Sequence, residues 1–149
     1  MRLIHFAKEP VAEIYPVVQA QKAMKPKGLW VSDEDCEDSW SAWCRNEDFN
    51  LESLAVAHEV TLAPDANLLR IDSAEGIDRF TITYAALDGY YPRWDILAKR
   101  YQGILITPYV WSRRLSRTAE WYYPWDCASG CIWDSEAIAS FGGVELVQP

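Results

Sequence analysis

Eight tryptophans and eight tyrosines in 149 residues constrain this chain more than any other feature. Each is a large apolar body with a polar tip, so burying one demands both room and a hydrogen-bond partner. A chain of this length can build one core large enough to do so without disulfides or metal. We read residues 1–149 as a single domain. Most of the rings belong in its core, and the remainder suit a wet pocket or a contact surface. The chain is 50% apolar and 24% charged, which excludes a disordered, collagen-like or low-complexity polypeptide.

The hydrophobic pattern changes period in short stretches. Residues 2–6 read as a strand. Pro10 suits a first helical turn, with Val11, Ile14 and Tyr15 at helical spacing up to Pro16. Lys25-Pro26-Lys27-Gly28 is a turn that delivers Leu29-Trp30-Val31-Ser32 as a strand. The acidic run from Asp33 to Asp38 is a solvated, capping segment. It lacks the spacing and the Gly of a calcium loop. Trp40, Trp43 and Cys44 then share one helix face. Residues 54–62 alternate with period two and put His58 on the apolar side as a satisfied, half-buried histidine. Leu69 and Ile71 continue a second strand. Asp72 to Glu75 has the form of a capping box ahead of Ile77, Phe80 and Tyr84. Trp94, Leu97, Ala98 and Tyr101 mark a further helix with Gly103 as its C-cap. Ile104-Leu105-Ile106, Cys131-Ile132-Trp133 and Val144 to Val147 read as strands. Strands and few, short helices interleave irregularly, which predicts an α+β fold and not a doubly wound sheet.

Asp and Glu number 22 against 14 Lys and Arg, a net charge of −8. That argues against direct nucleic-acid binding, although an acidic chain can mimic nucleic acid or meet a basic partner. No apolar run has membrane-spanning length, and Lys8-Glu9-Pro10 ends the first apolar stretch too early for a signal peptide. These features predict a cytoplasmic protein. Cys36 and Cys44 lie eight residues apart and Cys127 and Cys131 four apart, unlike the short knuckles of zinc sites. We expect buried thiols and no metal. Cys127 and Cys131 as a nucleophile or redox pair is a minor alternative, because a reactive thiol needs a nearby cation or helix N-terminus.

Residues 121–134 hold three Trp, two Tyr, two Cys and two Asp with Ser and Gly. Rigid rings beside small polar groups suit a ligand pocket. Arg113, Arg114 and Arg117 are the one dense basic cluster. They are either a solvated loop or a grip for phosphate, whose oxygens match the guanidinium fork.

Four pieces occur in a telling order. His5 lies in the first strand, and Gly28-Leu29-Trp30-Val31-Ser32 forms the second. Tyr101-Gln102-Gly103-Ile104-Leu105-Ile106 leads a late strand, and Cys131-Ile132-Trp133-Asp134-Ser135-Glu136-Ala137-Ile138 closes the core. Together they resemble the ADP-ribosyltransferase superfamily in its small bacterial and phage-type members, across nearly the whole chain. The resemblance implies split β-sheets around a cleft that holds NAD, with a few short helices. It implies that His5 contacts the adenine-side ribose or orients the nicotinamide half. Trp30 would stack on or flank nicotinamide, and Ser32 would line the cleft near the ribose or cap the next helix. Trp125 would add a second ring, and Arg113, Arg114 or Arg117 would meet the pyrophosphate or the acceptor.

One departure bears on the chemistry. The alignment puts Ser129 where the family's catalytic Glu stands. Breaking the nicotinamide–ribose bond passes through an oxocarbenium-like cation, which a facing carboxylate stabilises. Ser129 cannot supply that charge. Asp126, in the small-residue turn just before it, is the substitute we expect, and Glu120 is a weaker candidate. The resulting expectation is an enzyme that cleaves NAD and transfers ADP-ribose to an unidentified acceptor. Two alternatives stand beside it: a non-enzymatic acidic interaction or inhibitor protein of the kind phages encode, acting in the host cytosol, and a nucleotide-binding module without turnover.

Overall fold

The computed structural model describes residues 1–146. It is a mixed α+β arrangement built on one curled seven-stranded sheet. The strands are β1 (Leu3–Ala7), β2 (Leu29–Asp33), β3 (Val56–Leu62), β4 (Leu68–Ile71), β5 (Gly103–Ile106), β6 (Ser129–Ile132) and β7 (Ile138–Leu146). Their spatial order is β4-β5-β6-β2-β1-β3-β7. Only β4 and β5 run parallel, and the chain between them includes the helices α2 (Ala74–Tyr84) and α3 (Trp94–Leu97). The remaining helix, α1 (Trp40–Glu47), follows β2. No helix among the described residues is long and apolar enough to cross a membrane.

Both faces of the central strands are covered, which is why β5 and β6 are buried at every position. Alternation divides their side chains. Ile104, Ile106, Cys131 and Trp133 join a ring-rich core with Phe80, Trp94, Trp121, Tyr122 and Trp125. Leu105 and Ile132 join a smaller aliphatic core with Leu3, Val31, Val60 and Leu68 on the other face. The close approach of β5 to β6 requires glycine. A Cβ on Gly103 would lie 2.6 Å from the Cys131 carbonyl oxygen. Gly103 therefore opens β5 and is not the helix C-cap that the sequence suggested.

Several other elements differ from expectation. Residues 8–28 form no helix, because Pro10 and Pro16 deny the backbone two donors and long-range bonds take the place of local ones. Val11 N–H donates to His58 Nε2 at 2.9 Å, and Val17 N–H donates to the Trp133 carbonyl at 2.9 Å. The segment is an irregular strap tied to β3 at one end and to the chain after β6 at the other. The strand expected from residue 54 begins at Val56, after a 3₁₀ turn at Leu51–Leu54. The cap of α2 is Ser73, not Asp72, with its hydroxyl accepting from Gly76 N–H at 3.1 Å. Strand β7 starts earlier than expected, and Val147 lies outside the described residues.

The pairing of β1 is lopsided. Five residue pairs join it to β3, from Leu3↔Val60 to Ala7↔Val56. Only Leu3↔Asp33 and Ile4↔Ser32 join it to β2. The expected split into two sheets is thus one continuous sheet whose β1–β2 ladder opens after Ile4.

Gly103→Ala should lower stability by about 1–3 kcal/mol, since the intruding Cβ meets backbone. The thermal midpoint should fall by roughly 3–10 °C. Gly142→Ala, where the Cβ position meets nothing within 4 Å among the described atoms, should shift it far less. Equal shifts in a melting experiment would contradict the close-approach argument.

Candidate functional site

Where β1 and β2 part, the Trp30 carbonyl receives a side-chain donor. His5 Nδ1–H donates to it at 2.6 Å. The opened ladder is one wall of a cavity of about 310 Å³. That volume lies at the lower end of the range for small-molecule pockets, about 300–1,000 Å³. Six residues singled out from the sequence line it: His5 from β1, Trp30 and Ser32 from β2, Trp125 and Asp126 from the loop before β6, and Ser129 from β6. Lys25, Trp40, Pro124 and Cys127 also line it.

The His5 bond uses the Nδ1 proton, and Nε2 has no protein partner among the described residues. Behind it, His58 Nδ1–H donates to the His5 carbonyl at 3.1 Å while His58 Nε2 accepts from Val11. His58 is 1% exposed and fully engaged, so it fixes the strap and β1 and takes no part in the cavity. Burial pushes the His5 imidazole below its ordinary value of 6.5. The Trp30 carbonyl opposes this, and His58 adds to it.

Trp30 and Trp125 meet edge to face, with centroids 5.0 Å apart. Trp125 is 1% exposed, and its indole N–H is the buried side-chain polar atom among the described residues that lacks any acceptor. Such a donor costs about 1–3 kcal/mol while it stays unpaired. Ser32 is committed: its hydroxyl donates to Glu34 Oε2 at 2.6 Å and accepts from Trp40 N–H at 2.9 Å, at the start of α1. Ser129 is buried, and its hydroxyl donates to the Cys127 carbonyl at 3.1 Å.

Asp126 is the carboxylate on the cavity wall. Its Oδ1 accepts from both terminal nitrogens of Arg114 at 3.3 Å, and Oδ2 has no protein partner among the described residues. Arg114 also donates to the Tyr109 hydroxyl at 2.8 Å and lies 5.1 Å from the Trp43 ring and 5.6 Å from the Tyr123 ring. It is a clamp behind Asp126 and not a lining residue. Arg113 stands elsewhere, in a two-pronged pair with Asp78 at 2.8 Å for each bond. Arg117 is exposed, and Glu120 sits against the Tyr90 hydroxyl, raising that phenol's pKa. The arginine cluster thus divides among three tasks and does not present one phosphate grip at the cavity.

The cation that does line the cavity is Lys25, at its mouth. Its Nζ donates to the Pro124 carbonyl at 3.1 Å and rests 4.7 Å from the Trp30 ring centroid. In the sequence Lys25 belongs to a turn and nothing more. Nothing local signals its role, because the strap that carries it is positioned by partners far along the chain. Cys127 is held as a thiol: burial pushes it up to about 12. Burial raises Cys131 as well, which removes the thiolate that nucleophilic catalysis would need. All four cysteines are free. No group of three or more His, Cys, Asp or Glu placed to hold a metal occurs among the described residues.

No family model, curated protein or solved structure matched the chain.

Because burial lowers the His5 pKa, the unfolded chain takes up a proton near pH 6.5 before the folded chain does. Stability present above that pH is lost as the pH falls through it. Urea unfolding midpoints should drop between about pH 7.5 and 5.5, and His5→Gln should shrink the difference. An unchanged difference would assign the loss to other groups.

Proposed function

We propose that this chain is an ADP-ribosyltransferase-like protein that binds NAD in the His5–Trp30–Trp125 cavity and breaks its nicotinamide–ribose bond. The observation that carries the reading is convergence. Residues chosen from separate parts of the sequence (5, 30, 32, 125, 126 and 129) line one cavity. The four pieces that carry the resemblance also fall on or run into neighbouring strands, in the order β5-β6-β2-β1. The opening of the ladder between β1 and β2 supports a cleft between the two halves of the sheet.

The roles follow from chemistry. The nicotinamide ring packs against the Trp30–Trp125 pair on the cavity wall, and His5 Nε2 accepts from a ribose hydroxyl. As the C–N bond breaks, its electron pair leaves with nicotinamide and neutralises the ring. Positive charge develops on the ribose carbon, and Asp126 faces it. An acceptor nucleophile then forms the new bond to that carbon and gives up its proton to solvent. Arg114 orients Asp126 through one oxygen and leaves the other for the cation. The cavity volume suits the nicotinamide–ribose half, with the rest of the dinucleotide running outward.

A second reading, an acidic interaction protein, is favoured by one observation. Trp111, Leu115 and Tyr123 are 55%, 78% and 55% exposed. Tyr123 precedes Pro124 of the cavity wall, and both Trp111 and Tyr123 approach Arg114. A patch beside the cavity suits an acceptor as well as it suits a partner to be blocked.

Incubation with NAD should release nicotinamide, measured by chromatography. Asp126→Asn should slow release by about 10²–10³-fold, the effect of losing one preorganised electrostatic group. His5→Ala should weaken NAD binding measured by calorimetry. Binding without release would favour a module without turnover or an enzyme that waits for its acceptor. Neither binding nor release would overturn the proposal in favour of the interaction protein.

A further inference from the structure

The groups around Lys25 share one property: each presents negative potential. The Nζ lies 4.7 Å from the Trp30 centroid and 6.0 Å from the Trp125 centroid. A cation within about 6 Å of a ring face is attracted by its quadrupole. The Pro124 carbonyl accepts a hydrogen bond from the ammonium at 3.1 Å, and the Asp126 carboxylate lines the same cavity with one oxygen unpartnered among the described residues. Two rings, a carbonyl and a carboxylate therefore converge on a position that suits positive charge.

Lys25 holds that position loosely. One of its three donors has a protein acceptor, and it forms no ion pair among the described residues. Surrounding protein atoms push its ammonium below the ordinary value of 10.5, against the pull of Asp126. The backbone that carries it is pinned. Gln19 and Lys27 exchange two bonds, Nε2–H to the Lys27 carbonyl at 2.6 Å and Lys27 N–H to Oε1 at 2.9 Å. Ala23 accepts from the Trp94 indole at 3.0 Å. Vacating the position requires only that the Lys25 side chain swing outward from the cavity mouth.

We propose that the cavity is a site for a cationic aromatic ring, and that the Lys25 ammonium, at the cavity mouth, supplies the positive charge in its absence and withdraws when such a ring enters. The identity of the ring rests on the NAD reading above, since oxidised NAD carries its positive charge on nicotinamide and reduced NAD does not. Lys25 then sets ligand preference: it competes with cationic rings and is indifferent to neutral ones of the same shape.

The test uses the whole chain and two small probes, the N-methylnicotinamide cation and neutral nicotinamide, titrated by tryptophan fluorescence. Lys25→Met should bind the cation roughly tenfold tighter than wild type and change nicotinamide affinity by about twofold at most. Lys25→Arg, which keeps the charge, should behave like wild type. Lys25→Gln serves the same purpose as the Met variant should circular dichroism find that variant misfolded. Unchanged or weaker cation binding in the neutral variants, or no binding of the cation to any variant, would overturn the inference. The same variants should tighten oxidised NAD and leave reduced NAD unchanged. Weakening of both forms would make Lys25 a phosphate contact and also overturn it. Tightened N-methylnicotinamide binding with no NAD binding would keep the cation site and reject the NAD reading.

Discussion

Three buried indoles of this protein are fastened by acceptors for their N–H groups. Trp94 reaches the Ala23 carbonyl at 3.0 Å, Trp121 the Thr81 hydroxyl at 2.9 Å and Trp133 the Tyr101 carbonyl at 2.8 Å. Each bond crosses between segments distant in sequence, so the rings are fasteners as well as filling. The long connection from β5 to β6 depends on them. It carries no strand, yet the Tyr109 hydroxyl donates to the Trp125 carbonyl at 2.7 Å and the Tyr122 hydroxyl accepts from Val110 N–H at 3.0 Å. That fastening sets Trp125 and Asp126 against the cavity. Trp125, whose indole alone lacks an acceptor among the buried polar side chains described, is also the ring that faces the proposed ligand site.

The second structural condition is the early end of the β1–β2 ladder. A side-chain donor replaces the backbone donor there, and the strands can part without stranding the Trp30 carbonyl. His58 supports the arrangement from behind by tying β1 to the strap. One wall of the cavity is therefore an interrupted sheet and the other a ring-anchored loop. The strap closes the mouth with Lys25. Charge is organised the same way: Arg114, which does not line the cavity, holds Asp126 through Oδ1 and leaves Oδ2 without a protein partner among the described residues.

Much of this was legible in the sequence, and the reasons are local. Alternation marked β3 and helical stripes marked α1 and α2, because burial of one face enforces those periods, while an unbroken apolar run marked the central β5, which is buried on both faces. The crowding of rings and small polar residues at 121–134 pointed to the wall that carries Trp125, Asp126 and Ser129. What escaped was set by distant partners. Residues 10–18 had helical spacing, but their backbone bonds run to His58 and Trp133. Lys25 on that strap had no local signature. The three arginines looked like one patch, and only the fold reveals that Asp78 and Asp126 divide two of them.

The central claim is that the cavity receives the nicotinamide half of NAD against the Trp30–Trp125 pair. Saturation-transfer NMR of the protein with NAD tests it most directly. The account requires the strongest transfer on the nicotinamide protons, and its loss in Trp30→Leu. Transfer concentrated on the adenine protons, or nicotinamide transfer that survives in Trp30→Leu, would contradict it.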